Sequence, residues 1–232
     1  VDGGSGLFPE IDGRAAQYVA RSPGGGEMAQ LKLRYYPDPV LKQKAKKITI
    51  VDGSVRKLAQ DMLDTMYKSD GVGLAAPQIG VSKRLMVIDV SSEDEPAKPI
   101  VFINPEIIEQ DGEMVGQEGC LSFPDVFFEV KRYSRVVVRF QNLKGQTLKL
   151  TAENNLLCRA IQHEIDHLDG QLFIEKAVSQ LKCDLEMTKA GLIDGDADAL
   201  SRELSQQSSQ VAAATEGETI KLKSDKKEHI LK

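Results

Sequence analysis

Hydrophobic residues recur at helical spacing shortly after residue 50. Six of them follow the i, i+3, i+4 pattern of an amphipathic helix: Val55, Leu58, Ala59, Met62, Leu63 and Met66. Asp52 or Ser54 can accept hydrogen bonds from the free N–H groups of the first turn. Gly71 follows the last apolar position. The pattern therefore predicts a helix that begins after one of these caps and ends before Gly71.

The middle of the chain changes to strand-like patterning. Short apolar runs bounded by turn-forming residues occupy residues 84–90, 100–103, 135–141 and 147–151. The last two runs are joined by Asn142 to Gly145, and this spacing is typical of a β-hairpin. Because hairpins connect antiparallel strands, these segments predict a mostly antiparallel sheet.

A second helix follows the hairpin and has three different faces. It is predicted to begin near Asn154 or Asn155 and to end at Gly170, which can adopt a left-handed conformation. At about 100° per residue, one sector carries His163 and His167. An apolar sector is formed by Leu157, Ile161, Ile165 and Leu168. A polar sector, predicted to face water, is formed by Arg159, Gln162 and Asp166.

The order of these elements predicts an α+β fold, in which mostly antiparallel sheets pack around the central histidine-bearing helix. A further helix is predicted from about Ala177, because Leu181, Leu185, Met187 and Leu192 recur at helical spacing. We predict that the motifs described below lie in a catalytic domain at residues 28–178. Residues 179–232 are then a C-terminal helix and a polar tail, predicted to be disordered after Asp194.

Candidate metal ligands lie in two motifs. Cys120 belongs to Glu118-Gly-Cys-Leu-Ser122, and His163-Glu-Ile-Asp-His167 follows on the second helix. Residues four apart lie on one helix face, so both imidazoles can bind one ion. With Cys120 as a third ligand, a tetrahedral site keeps one position open, whereas a structural zinc site closes all four. The pattern therefore indicates a catalytic metal.

Three motifs, in this order, resemble the signature motifs of the peptide deformylases: Gly71-x-Gly-Leu-Ala-Ala-x-Gln78, Glu118-Gly-Cys-Leu-Ser122 and His163-Glu-x-Asp-His167. The resemblance extends over about residues 31 to 178 and includes the segment that begins Tyr36-Pro-Asp-Pro. It implies a hydrolase that removes the N-formyl group from the N-terminal formylmethionine of nascent polypeptides and releases formate.

The resemblance also implies a role for each motif residue. Cys120, His163 and His167 would bind one divalent metal ion, in this family usually Fe(II), which nickel, cobalt or zinc can replace. Glu164 would act first as general base and then as general acid, taking a proton from the attacking water and passing it to the departing amine. A carboxylate is useful here because thiolate donation from Cys120 weakens the ion's effect on the pKa of water.

The remaining implied roles concern the substrate. Gln78 and the backbone amide of Leu121 would hold the oxyanion that forms when water attacks the formyl carbon, and such a donor is typically worth roughly 10²–10³ in rate. Gly73 would contact the peptide backbone. The pocket for the first side chain, typically methionine, would be walled by Val72, Leu156, Ala160 and the stem of Arg159.

Two other classes of protein are compatible with part of this pattern. A zinc endopeptidase would take its third ligand from a residue after the second histidine, such as Glu175 or Glu186, but this leaves Cys120 without a role. A non-catalytic module would need a second cysteine ligand. Cys158 points about 140° away from the first histidine on the helix, and Cys183 lies in the C-terminal helix, where we expect a surface thiol.

Composition and charge limit the classes of binding partner and the cellular compartment that we expect for this protein. The net charge of -5 gives no general attraction for nucleic acid. The cluster Lys42, Lys44, Lys46 and Lys47 is most often a solvated face, although a transient contact with ribosomal RNA is the functional alternative. No apolar run approaches the roughly 18 residues of a membrane helix. An odd number of cysteines, three, fits a reducing compartment such as the cytoplasm.

The first segment differs in composition from the rest. Residues 1–27 are rich in Gly, Ser and Pro, and they lack the apolar core of a signal peptide and the basic character of a transit peptide. We expect a disordered extension or residues encoded by an expression vector, with Met28 as a natural start.

Overall fold

The computed structural model describes residues 10–11, 30–92 and 95–208. The chain forms two compact units, Val1–Val178 and Ser179–Lys232. The described part of the first unit contains two α-helices, α1 Gly53–Lys68 and α2 Leu156–Asp169. Its strands are β1 Glu10–Ile11, β2 Gly73–Ala75, β3 Leu85–Ile88, β4 Ile100–Asp111, β5 Met114–Cys120, β6 Phe123–Arg132, β7 Arg135–Gln141 and β8 Thr147–Glu153. Short 3-10 helices occupy Pro39–Lys42, Ala76–Ile79 and Phe173–Lys176.

The strands form two separate sheets. The larger sheet has six strands in the order β1-β8-β7-β4-β3-β2, and the smaller one is the β5-β6 hairpin. Every pairing is antiparallel except that of β1 with β8, where Glu10 and Ile11 lie opposite Lys149 and Leu150. This pairing corrects the prediction of disorder at these two positions of the first segment. The rest of residues 1–27 lies outside the described residues.

The β2-β3 end of the large sheet is buried on both faces, with one helix packed against each face. Met86 on β3 belongs to an apolar cluster with Ile161 of α2. Its neighbour Val87 points the other way and belongs to a cluster with Met62 of α1. Side chains alternate between the faces of a strand, so a strand covered on both faces is apolar throughout. This explains the continuous apolar run that predicted β3.

Local capping fixes the ends of both helices. Asp52 Oδ1 accepts hydrogen bonds from the N–H groups of Ser54 (2.9 Å) and Val55 (3.1 Å) at the start of α1. Asn155 does the same for α2, since its Oδ1 accepts from Cys158 N (2.8 Å). Gly170 ends α2 with a φ of 73°, a conformation that glycine adopts without steric cost. The predicted helices are confirmed at these positions.

The faces of α2 differ from the prediction in one respect. The apolar sector is buried as expected, but the polar sector does not face water: Arg159, Gln162 and Asp166 are each less than a tenth exposed. Their polar groups find hydrogen-bond partners within the protein, such as the carbonyl of Tyr133, which accepts from Gln162 Nε2 at 2.9 Å. A helix in the centre of a domain can carry a buried polar face when each group finds a partner.

The described part of the second unit is helical. It contains α3, Gln180–Lys189, and a further helical stretch at residues 197–208. Asp196 Oδ1 caps that stretch by accepting from the N–H groups of Asp198 and Ala199. The prediction of disorder after Asp194 is therefore wrong for residues 197–208, because this cap precedes residues with good helix propensity. Residues 209–232 lie outside the described residues.

Two further expectations concern the whole chain. The α+β class with mostly antiparallel sheets and a C-terminal helix is confirmed. Within the described ranges, no helix combines the length and apolar character that crossing a membrane requires. The assignment of a catalytic domain to residues 28–178 and of a tail to residues 179–232 stays a prediction.

Candidate metal centre

The site is assembled where the end of β5 meets the middle of α2. Cys120 is the last residue of β5, while His163 and His167 lie one turn apart on α2. One potential ligand atom from each of the three lies within 4.8 Å of the other two. Among the described residues this is the only group of three or more such side chains. The two halves of the site come from sequence positions more than forty residues apart (120 and 163).

The chemistry of these atoms fits a transition metal. Cys120 Sγ lies 3.2 Å from Nε2 of His167. His163 directs Nδ1 to Glu118 Oε2 at 3.0 Å, so its Nε2 is the nitrogen left for an ion. Burial keeps the pKa of His167 well below its usual value and therefore favours the neutral form of this imidazole. One sulfur and two imidazole nitrogens suit Fe(II), nickel, cobalt or zinc better than magnesium or calcium.

Glu164 lies between the two histidines in the sequence and is itself buried. Its Oε2 has no hydrogen-bond partner in the described part of the chain. Burial raises the pKa of its carboxyl to about 7. Gly73 on β2 faces this carboxylate so closely that a Cβ there would collide with Oε1. The glycine therefore leaves the room that this buried carboxylate occupies.

Gln78 approaches the same place from the 3-10 helix Ala76–Ile79. Its Oε1 accepts a hydrogen bond from the N–H of Ala75 (2.8 Å). Its Nε2 donates towards Cys120 Sγ (3.5 Å) and Ser122 Oγ (3.3 Å). Leu121 directly follows the cysteine and lines the same cavity. A side-chain amide donor thus lies beside the candidate metal ligand.

A network of buried charges supports the candidate ligand His163. Glu118 accepts two hydrogen bonds from Arg132, each at 2.8 Å, and one from Arg159 at 2.8 Å. Burial alone would raise the pKa of Glu118, but Arg132 and His163 together hold it far below its usual range. Arg132 also pairs with Asp166 on the next turn of α2. These contacts fix the carboxylate against the imidazole and so fix the orientation of the imidazole.

A cavity of about 540 Å³ opens next to these groups. The five residues predicted to bind substrate all line it: Val72, Gly73, Leu156, Arg159 and Ala160. Val72 and Leu156 are 43% and 51% exposed, so they form an apolar rim that a ligand can cover. The structure brings these positions together beside Glu164 and Gln78, and their individual roles stay predictions.

Several residues that lie next to the site were not predicted from the sequence. Arg132 occupies an inward-facing position of β6, where buried and exposed residues alternate along most of the strand. That period-2 pattern, with an arginine at an inward position, was the available signal. Further lining residues that were missed are Leu33, Tyr35, Phe123 and Phe127. They come from segments with no chemical motif of their own.

The other two cysteines take no part in this group. Cys158 is buried, as expected for a small apolar side chain, and its Sγ contacts the carbonyl oxygens of Tyr133 and Ser134. Cys183 is fully buried too, which corrects the prediction of a surface thiol. Burial raises the pKa of the Cys183 thiol to about 11. Cys183 lies one turn before Met187 on α3, and both side chains are buried.

Comparison with known proteins gives a consistent result. The family model described as polypeptide deformylase matches residues 30–182. The peptide deformylase of Acidobacterium capsulatum is 52% identical over 154 residues, which cover 66% of this chain and 89% of that protein. The peptide deformylase of Thermodesulfovibrio yellowstonii is 48% identical over 158 residues, or 68% of this chain and 94% of that protein.

Solved structures agree with the sequence relatives. A peptide deformylase from Synechococcus elongatus in complex with actinonin has a TM-score of 0.67 and 44% identity, covering 69% of this chain and 88% of that one. A peptide deformylase from Legionella pneumophila has a TM-score of 0.65 and 41% identity, covering 76% and 98%. The chain therefore belongs to the polypeptide deformylase family.

Proposed function

We propose that this protein hydrolyses the N-formyl group of N-terminal formylmethionine in nascent polypeptides and releases formate. The observation that carries the proposal is the convergence of Cys120, His163 and His167 beside the buried carboxylate of Glu164. A cysteine and two histidines leave a further coordination position for a reacting group. Membership of the deformylase family supplies the reaction that this arrangement serves.

The proposed reaction adds water across one amide bond. Cys120, His163 and His167 would hold the ion, which supplies Lewis acidity that polarises the formyl group and lowers the pKa of the attacking water. Glu164 accepts one proton from that water while the water oxygen bonds to the formyl carbon. The same carboxyl then gives the proton to the departing nitrogen, and the carbon–nitrogen bond breaks. The products are the free amine and formic acid, which loses its remaining proton to give formate.

Two donors would stabilise the intermediate. Negative charge accumulates on the formyl oxygen when the carbon becomes tetrahedral, and Gln78 Nε2 is aimed into the cavity beside Cys120. The backbone amide of Leu121 is the second donor in this proposal. Donors that are already in place when charge develops lower the barrier without having to reorganise.

The first side chain of the substrate would occupy the apolar part of the cavity. Val72, Leu156 and Ala160 offer hydrocarbon surface there. Arg159 is held by Glu118, so that its stem can form a wall. An unbranched, polarisable methionine side chain suits a pocket of this kind. Gly73 lets the substrate backbone pass close to Glu164.

The identity of the metal is part of the proposal. Fe(II) is the ion that we expect in the cell, and nickel, cobalt or zinc can replace it. The donor set of one thiolate and two imidazoles is compatible with all four. We also propose that the reaction takes place in the cytoplasm, where nascent chains emerge from ribosomes, and that any ribosome contact is transient.

A formate-release assay tests this proposal. The protein, purified without oxygen and loaded with nickel, should release one formate per formyl-Met tripeptide. An acetyl-Met tripeptide of the same sequence should be hydrolysed far more slowly, because the added methyl group crowds the reacting carbon. Cleavage of internal bonds in an unformylated peptide, without formate release, would contradict the proposal and favour an endopeptidase.

A further inference from the structure

The side chain of Gln78 can adopt two orientations that differ by exchange of its oxygen and nitrogen ends. The N–H of Ala75 requires an acceptor, and Oε1 fills that role at 2.8 Å. The opposite end of the amide must then present Nε2, which has two hydrogens. If the amide were reversed, two donors would meet at Ala75, and an oxygen would face the sulfur of Cys120.

Ser122 receives one of these two hydrogens. Its Oγ lies 3.3 Å from Gln78 Nε2, and the residue is completely buried. The other contact of Nε2 is the sulfur of Cys120 at 3.5 Å, an ordinary distance for sulfur, which is a weaker acceptor than a hydroxyl oxygen. The hydrogen on that side is the one available to an oxygen that enters the cavity. Ser122 therefore restricts how the amide can turn.

The backbone holds these two residues in a fixed relation. The carbonyl of Gln78 accepts a hydrogen bond from Arg34 N (2.7 Å), and the carbonyl of Ser122 accepts one from Tyr36 N (2.9 Å). Both motif segments are thus attached to the same short stretch of chain. The ring of Tyr36 also stacks on Phe123, the residue after the serine, with centroids 5.0 Å apart. Loss of the hydroxyl alone leaves these contacts in place.

We infer that Ser122 is a positioning residue: its hydroxyl orients the Gln78 amide so that one N–H points at the reacting oxygen. The inference rests on the proposed function for its catalytic consequence. Ser122 itself touches neither the substrate nor the ion in this account. Its effect on the reaction passes through Gln78 alone, and this makes it separable from a role in folding.

A double-mutant cycle tests that separation. Ser122→Ala should lower kcat for the formyl-Met tripeptide about ten-fold and change KM less than about two-fold, since a misdirected donor loses part of the roughly 10²–10³ that such a group supplies. In the Gln78→Ala background, the same substitution should change kcat less than about two-fold. Ser122→Cys keeps the shape with a weaker acceptor and should fall between serine and alanine. Rates are taken per bound metal ion.

Thr65→Val is the matched control, because Thr65 is also a fully buried hydroxyl but does not line the cavity. It should lower the melting temperature and leave kcat within about two-fold. An equal loss of kcat from Ser122→Ala in both backgrounds would overturn the inference. A Ser122→Ala variant with a lower melting temperature and an unchanged kcat would also overturn the inference.

A second measurement does not depend on activity. In the zinc-loaded protein with ¹⁵N-labelled glutamine, the side-chain amide of Gln78, assigned from Gln78→Ala, should give two separate proton signals that exchange slowly with water. Ser122→Ala should speed that exchange at least ten-fold. Unchanged protection would overturn the orientation that we infer. If the wild-type protein released no formate while this protection was lost in the variant, the proposed function would fail and the positioning role would stand.

Discussion

At the scale of single residues, the candidate site consists of a few polar groups that are buried next to one another. The motif residues could be predicted because the chemistry requires their types, and the family resemblance supplied their roles. The hydroxyl of Ser122 and the guanidinium of Arg132 could not be predicted in the same way. Their importance comes from contacts with Gln78 and Glu118, and those contacts exist only after the chain has folded.

The role of Glu164 gives the first prediction at this scale. Glu164→Gln should retain the metal and release formate at least roughly 10³-fold more slowly, because proton transfer is typically worth 10²–10⁴ in rate. Glu164→Asp should fall between the two. Glu175→Gln, an exposed glutamate outside the cavity, is the control and should have wild-type activity. A Glu164→Gln variant with more than a tenth of wild-type turnover would exclude Glu164 as the general base.

The donor role of Gln78 gives the second prediction. Gln78→Ala should lower kcat more than it raises KM, since its N–H is needed most when charge accumulates on the formyl oxygen. The measurement is steady-state formate release at several concentrations of the formyl-Met tripeptide. A variant with unchanged kcat and a raised KM would instead identify Gln78 as a group that binds the substrate before reaction.

At the scale of elements, helix ends were predicted better than the number and length of the strands. The caps Asp52, Asn155 and Gly170 act within a few residues of sequence, so local patterns identify them. The β5-β6 hairpin was missed, because the Glu118-Gly-Cys-Leu-Ser122 motif interrupts its alternation. The far half of β4 was missed too, since it carries polar residues and register shifts against β7. The partners of the buried polar residues on α2 could not be predicted either, because they come from other parts of the folded chain.

The link between the β5-β6 hairpin and α2 gives a prediction about stability. Arg132 pairs with Glu118 and Asp166, and its side chain is only 1% exposed. Arg132→Leu removes the cation that these two buried carboxylates share, so the free energy of unfolding should fall by about 3–5 kcal/mol. Urea denaturation of the zinc-loaded protein measures this loss.

An exposed arginine provides the comparison for that experiment. Arg135 pairs with Glu109 at 3.4 Å, and both side chains are more than a third exposed. Arg135→Leu should therefore cost only about 0–1 kcal/mol. Equal losses for the two substitutions would mean that the buried network contributes nothing specific to the connection between β6 and α2.

At the scale of the whole molecule, the described chemistry is confined to part of the chain. Every residue that lines the candidate cavity lies between Leu33 and Glu164, and the family match covers residues 30–182. The ends of the chain lie outside that range. The class of fold was predictable from the order of elements. The helical stretch at 197–208 was not, because its polar, small-residue composition is typical of disordered tails.

Truncation tests this division of the molecule. Removal of residues 1–27 and 209–232 should leave kcat and KM for a formyl-Met tripeptide within a few-fold of the full-length values, because no cavity residue lies in either segment. A small loss of stability is expected from the two pairs that β1 makes with β8. A ten-fold loss of activity would show that the ends contribute to the catalytic unit.

The central claim is that one ion, bound by Cys120, His163 and His167, enables formate release. The most direct test is a titration of the chelated protein with nickel, under exclusion of oxygen, while formate release from a formyl-Met tripeptide is measured. Activity should rise from near zero and reach its end point at one ion per chain, and Cys120→Ala should abolish the rise while Cys158→Ala preserves it. Full activity in the chelated protein, or an unchanged titration in Cys120→Ala, would contradict the account.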